Sequence, residues 1–190
     1  MKSLDFLNKY NNPKNIRFNS FVRSLSIADS RNLKIFVETG TSRGKKKFYF
    51  FNKFNWKDGM STIMFAEFIK HKGGQLYSVD LSKDNINNAI KFTKKFNNYI
   101  EFIVSDSVRY LKNIKYKIDF LYLDSLDGHN SKIASLHQLN EIQCALDKLH
   151  DNSIILLDDK STKGNLSIDF LLKQKFKIIN ETKEQVLFSR

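Results

Sequence analysis

Two rhythms of apolar residues run through the chain. Short apolar runs occur at Ile35–Thr39, Gln75–Asp80, Ile100–Val104, Ile118–Leu123 and 153–157. Between them lie longer stretches with helical spacing, such as Ile63, Met64, Phe65, Phe68 and Ile69, or Ile86, Ile90 and Phe92. The alternation predicts five strands separated by helices, with Ser61 or Thr62 capping the first of these helices and Gly73-Gly74 ending it. The later helices fall at 83–96, from Ser107 to Leu111, at 132–149 and at 166–172. Strands and helices in strict alternation build a parallel sheet with helices on both faces. At the end of the chain, 176–179 and 185–188 flank Asn180-Glu181-Thr182-Lys183-Glu184, the composition of a hairpin turn. At its start, Phe18, Phe21, Val22, Leu25 and Ala28 recur at helical spacing, after a shorter helix at 4–10 and a break at Pro13. The expected organisation is an N-terminal helical extension, 1–32, and one α/β domain, 33–190. The extension is expected to pack on the sheet edge, with a cover over a substrate cleft as the alternative.

Every expected parallel strand ends in an acid or an acid-bearing turn: Glu38, Asp80, Asp106, Asp124 and Asp158. In an open α/β sheet these ends share the edge where ligands bind. Aspartate also favours turns and helix caps, which accounts comfortably for one or two of the five. The first strand runs into Glu38-Thr39-Gly40-Thr41-Ser42-Arg43-Gly44. Glycines at such a turn let a ligand approach backbone N–H groups closely. The spacing, Glu-x-Gly-x-x-x-Gly, is not the dinucleotide pattern Gly-x-Gly-x-x-Gly. Strands four and five are expected neighbours, so Asp124 and the pair Asp158-Asp159 can converge. Three hard oxygen ligands suit Mg²⁺ or Ca²⁺. Backbone N–H groups and solvent would satisfy the same carboxylates without an ion. Asp127, His129 and Lys160 lie close enough in sequence to serve as a base, and His129 has the most suitable unperturbed pKa. A solvent-facing loop histidine is the plainer alternative.

The Gly turn resembles the first motif of class I S-adenosylmethionine (SAM) dependent methyltransferases. The order of five β/α units and a closing hairpin resembles their whole Rossmann-like fold over residues 33–190: a mostly parallel seven-stranded sheet with a C-terminal antiparallel hairpin. A closer resemblance is to a small methyltransferase group of bacteria and phages. It rests on Phe36-Val37-Glu38-Thr39-Gly40-Thr41, Trp56-Lys57-Asp58-Gly59-Met60-Ser61-Thr62, Tyr77-Ser78-Val79-Asp80, Ser105-Asp106-Ser107-Val108, Leu121-Tyr122-Leu123-Asp124-Ser125 and Leu156-Leu157-Asp158-Asp159. The resemblance implies a cofactor site made by Glu38, Gly40, Thr41, Ser42, Gly44, Asp80, Asp106, Ser107 and Asp124. In it Asp80 holds the ribose hydroxyls and Asp106, beside Ser107, meets the adenine. The group's substrates are poorly defined, so this resemblance implies a cofactor and no particular acceptor; the expected reaction is methyl transfer to a hydroxyl of a small molecule or sugar, with Asp124, Asp127 and His129 as catalytic candidates. The triad Asp124, Asp158 and Asp159 resembles the metal site of catechol-type and macrolide-sugar O-methyltransferases, which implies a divalent cation, Mg²⁺ by preference. Two rivals remain: a nucleic-acid methyltransferase, and a SAM-fold binding protein without turnover.

Composition changes this picture little. The 190 residues suit one core, and the 17 phenylalanines can fill it. A single Cys144 excludes an internal disulfide and a cysteine-based zinc cluster, and favours a reducing, cytoplasmic setting. No signal peptide and no membrane-length apolar run is expected. The net charge of +12 can attract polyanions, but six of the 32 basic residues are arginine and the rest lysine. Lysine is a solvated point charge, and arginine is the usual reader of phosphates and bases. The basic segment from Arg43 to Gly59 interleaves Lys45, Lys46, Lys47, Lys53 and Lys57 with Phe48, Tyr49, Phe50, Phe51, Phe54 and Trp56, without a clean period. A lid over the cofactor is expected there, with a nucleic-acid surface as the alternative. No Asn/Asp-Pro-Pro-aromatic motif follows the fourth strand, and Cys144 follows Gln143 within a helix, so the common DNA-base methylation motifs are absent.

Overall fold

A computed structural model describes residues 2–48, 51–58 and 60–190. The side chains at 2, 3, 45–48, 51–53 and 58 lie outside that description, as do Tyr49, Phe50 and Gly59 of the basic aromatic segment.

The sheet has seven strands: β1 (Ile35–Thr39), β4 (Gln75–Asp80), β5 (Ile100–Val104), β6 (Ile118–Leu123), β7 (Leu149–Leu157), β8 (Lys177–Glu181) and β9 (Val186–Ser189). Their spatial order is β5-β4-β1-β6-β7-β9-β8. Only β9 runs against its neighbours. The expected α/β order and terminal hairpin are therefore present. Buried on both faces, the central strands read as continuous apolar runs, as Ile154–Leu157 shows.

One face of the sheet carries α1 (Phe18–Ser30), α2 (Ser61–Lys72) and the 3₁₀ helix Lys2–Tyr10. Its core is aromatic: Phe36, Phe65 and Phe120 meet edge-on, and Phe21 of α1 meets Phe65 and Tyr122 in the same way. Such pairs add about 0.5–1.5 kcal/mol each beyond area burial. Phe21, Leu25 and Ala28 are fully buried, so α1 is part of this core. The other face carries α4 (Ser107–Asn113), α5 (Ser131–Ala145) and α6 (Lys160–Lys173) over Val37, Leu121, Ile155 and Leu157. Helix α3 (Lys83–Phe92) follows β4.

Several expectations shift. The first helix is 3₁₀ rather than α. The 83–96 helix breaks at Thr93, whose hydroxyl donates to the Ala89 carbonyl, and continues as the 3₁₀ helix Lys94–Tyr99. The segment read as aperiodic contains a two-stranded hairpin, β2 (Lys45–Phe48) and β3 (Phe51–Phe54), separate from the main sheet. Ser61 and Thr62 do not cap α2. They are its first residues, Met60 precedes them with φ +58°, and their hydroxyls turn inward.

Candidate active site

The strand-end acids arrive on one edge because a further ladder bond carries each exit past its strand. Gly40 N–H donates to the Val79 carbonyl (2.8 Å), Ser105 to Asp80 (3.1 Å), Asp124 to Thr39 (2.9 Å) and Asp158 to Leu123 (3.1 Å). The chain leaves β1 towards β4 on one side and returns to β6 on the other. This reversal opens the crevice where ligands bind in such sheets.

Gly40 sits at φ +82°, and a Cβ there would lie 2.1 Å from the Asp124 carbonyl oxygen. The turn thus presses against the exit of β6, which only glycine permits. Gly44, at φ +71°, lies against the Phe92 ring in the same way. Beneath the turn, Glu38 is fully buried and accepts from the hydroxyls of Thr62 (2.7 Å), Ser78 (2.8 Å) and Ser61. Burial pushes its pKa up to about 7, against the pull of the three hydroxyls. Ser42 N–H donates to Thr62 Oγ1 (2.8 Å), so the same network ties the turn to the start of α2.

Above this network Gly40, Thr41, Ser42, Asp80, Asp124 and Asp127 line a polar cavity of about 80 Å³. Asp80 accepts from Thr41 N–H (3.1 Å), Ser82 N–H (2.8 Å) and Asn85 Nδ2 (3.2 Å), which aims its carboxylate at the turn. Asp127 is exposed and pairs with Arg43 at 3.8 Å.

The other expected site residues lie elsewhere. Glu38 and Gly44 are below and beside the turn, off the cavity wall. Asp106 caps α4, accepting from Arg109 N–H at 2.8 Å, and Ser107 Oγ is 3.0 Å from His137 Nε2. His129 is exposed and lines neither this cavity nor the larger one described below. His150 bonds Asp119 at the opposite edge of the sheet. Glu141 of α5 is fully buried near His137 (3.7 Å), and burial raises its pKa.

Asp124, Asp158 and Asp159 do converge, with one ligand atom from each lying within 4.8 Å of the others. Two side chains of the protein already sit among them. Arg17, from the N-terminal extension, bonds both oxygens of Asp158 (2.7 and 2.8 Å) and Asp159 Oδ1 (2.7 Å). Lys163 of α6, only 2% exposed, bonds Asp124 Oδ1 (2.9 Å) and reaches Asp159 Oδ2 (3.2 Å). The remaining oxygen, Asp124 Oδ2, faces the Tyr122 hydroxyl at 3.4 Å. Burial and the Asp158 charge push the Asp124 pKa well up, and Lys163 opposes them. Burial disfavours charge on Lys163, but Asp124 and Asp159 outweigh it and raise its pKa. The donor types suit a hard cation, but the arrangement does not fit one, because a guanidinium and an ammonium hold the oxygens an ion would need.

Sequence reading missed both cations. Lys163 follows Asp159 by four residues on α6, a spacing that signals an ion pair. Arg17 lies 141 residues from Asp158 and had no local signal.

A family model described as a methyltransferase domain matches residues 56–160, from the end of the hairpin segment into the start of α6. The chain belongs to the methyltransferase domain family. Solved structures share its fold. A methyltransferase of Geobacter sulfurreducens is 17% identical over 88% of this chain and 76% of its own, with a TM-score of 0.60. An SAH-bound methyltransferase of Podospora anserina is 13% identical over 99% and 86%, with a TM-score of 0.64. An O-methyltransferase of Bacillus cereus, in complex with SAH, is 14% identical over 100% and 91%, with a TM-score of 0.60. No curated protein matches the chain. Among the described residues no helix is long and apolar enough to cross a membrane.

Proposed function

We propose that this methyltransferase uses SAM and transfers its methyl group to a hydroxyl of a small molecule. The observation that carries the reading is the Gly40 turn, pressed against Asp124 and facing the Asp80 carboxylate across one polar cavity. Two of the structures named above are SAH complexes, which supports the cofactor, and one of these is an O-methyltransferase, which supports the acceptor type.

The donor set fits SAM. Asp80 would take the ribose hydroxyls in place of Asn85 Nδ2, which spans both of its oxygens at 3.2 Å, and the N-terminus of α2, with Ser61 on the cavity wall, offers N–H groups to a carboxylate. The enclosed 80 Å³ is smaller than the ~300–1,000 Å³ of pockets that take a whole ligand, so most of the cofactor extends along the edge of the sheet. When bound, the sulfonium of SAM supplies an electrophilic methyl carbon. The protein's part is to orient the acceptor and to take its proton. Asp124 stands on the cavity wall, where its carboxylate would accept that proton. No step runs through a divalent ion, since Arg17 and Lys163 supply the positive charge among the three carboxylates.

The test is calorimetric. Asp80→Ala removes charge-assisted hydrogen bonds worth about 1.5–3 kcal/mol and lowers SAH affinity at least tenfold, with folding retained. Equal affinities would rule out the ribose assignment, and tight NADH binding without SAH binding would rule out the cofactor.

A further inference from the structure

A second, larger cavity lies apart from the strand-end acids. It measures about 870 Å³ and is bordered by the hairpin segment, α3, the 3₁₀ helix Lys94–Tyr99 and the N-terminal 3₁₀ helix. Its described lining holds no acid. Lys9, Arg43, Lys91, Lys94 and Lys95 rim it, and Phe54, Trp56, Phe92 and Phe96 form aromatic wall. Glu67 neutralises Lys9 from behind at 2.5 Å. Lys91, Lys94 and Lys95 are exposed and have no ion-pair partner among the described residues. Phe54 holds Trp56 (5.6 Å between centroids) and Phe92 (6.0 Å), so the aromatic wall is preassembled. Arg43 lines both this cavity and the acidic one.

Like charges gathered around one concavity raise the local concentration of an anion. Aromatic faces beside them take a planar ring, by stacking that depends little on ring identity. The volume falls in the range of pockets that hold one small ligand. We propose that this cavity binds a nucleotide-sized ligand, with a phosphate held by Lys91, Lys94, Lys95 and Arg43 and a planar ring against Trp56 and Phe54. That this ligand is the methyl acceptor, reaching past Arg43 to Asp124, rests on the methyl-transfer reading above. The nucleotide site itself does not.

Trp56 is the only tryptophan of the chain, so intrinsic fluorescence reports this cavity directly. The full chain, saturated with SAH to fill the cofactor site, is titrated with uridine 5′-monophosphate, uridine and inorganic phosphate. Uridine monophosphate is expected to give a saturable change, and uridine to bind about tenfold more weakly. Lys94→Ala with Lys95→Ala is expected to weaken uridine monophosphate about tenfold or more and to leave uridine within about twofold. Equal affinities for nucleotide and nucleoside overturn the proposal, and so does the absence of any saturable change up to about 10 mM. A short RNA that binds far more tightly than the nucleotide, with steep salt dependence, overturns it in favour of a polynucleotide surface. Calorimetry with SAH runs alongside. Nucleotide binding without SAH binding keeps this site and rejects the cofactor, and the reverse result rejects this site alone.

Discussion

The two cavities that share Arg43 are built on opposite plans. The acidic one, about 80 Å³, is made of strand exits, turns and buried side chains that already hold one another. The basic one, about 870 Å³, is rimmed in part by Lys91, Lys94 and Lys95, exposed and without an ion-pair partner among the described residues. In the first, Asp80 and Asp124 hold several partners each, and removing either leaves those partners unsatisfied. In the second, these three lysines are already solvated, and their removal costs the fold almost nothing. Mutations should therefore separate into those felt by stability and those felt only by a ligand.

Lys163→Met should have the largest effect. The ammonium is 2% exposed and serves Asp124 and Asp159 together. Without it two carboxylates keep Arg17 as the nearest cation, and Asp124 loses its own. Breaking a buried pair in this way costs about 3–5 kcal/mol. Urea unfolding should show the loss as a lower midpoint with an unchanged slope. A cost below about 1 kcal/mol would mean that the cluster is solvated and that the contrast between the cavities is overstated.

Glu38 sets the next effect, through pH. Its folded pKa, about 7, lies above the ordinary 4.5. Between those values the folded protein holds a proton that the unfolded chain releases. The contribution is fully present below pH 4.5 and is lost as pH rises towards 7, by up to about 3 kcal/mol. Unfolding midpoints measured across this window should fall with pH from this group, and Glu38→Gln should flatten that component. The same slope in both proteins would assign the titration to another group.

These effects mark where the sequence was legible. The apolar runs named the strands because buried parallel strands need little else, and the acids after them fell on one edge because the topology allows no other place. Gly40 was legible as a turn, but its close approach to Asp124 depends on the β1–β6 register. The Glu38 network was not legible. Ser61 and Thr62 look like helix caps in sequence, and only the third dimension turns them towards a carboxylate. Arg17 was further out of reach, since an ion pair across 141 residues leaves no periodicity. The hairpin at 45–54 was missed because its lysines and aromatics alternate too irregularly to give a strand period.

The smallest effect is the sharpest test of the contrast. Lys94→Ala with Lys95→Ala removes two exposed cations that have no ion-pair partner among the described residues. Surface changes of this kind alter stability by about 0.5 kcal/mol or less. They also lie outside the cavity wall that contains Asp80. Neither contacts that wall and both are solvated, so SAH affinity should stay within about twofold. The variant should therefore melt and bind SAH as the parent does while losing the nucleotide. Calorimetry with SAH and a thermal melt on the same preparation check this. A stability loss above about 1 kcal/mol would show that these lysines support the fold. A matching fall in SAH affinity would show that the two cavities are one continuous site, with the cofactor itself reaching into the basic half.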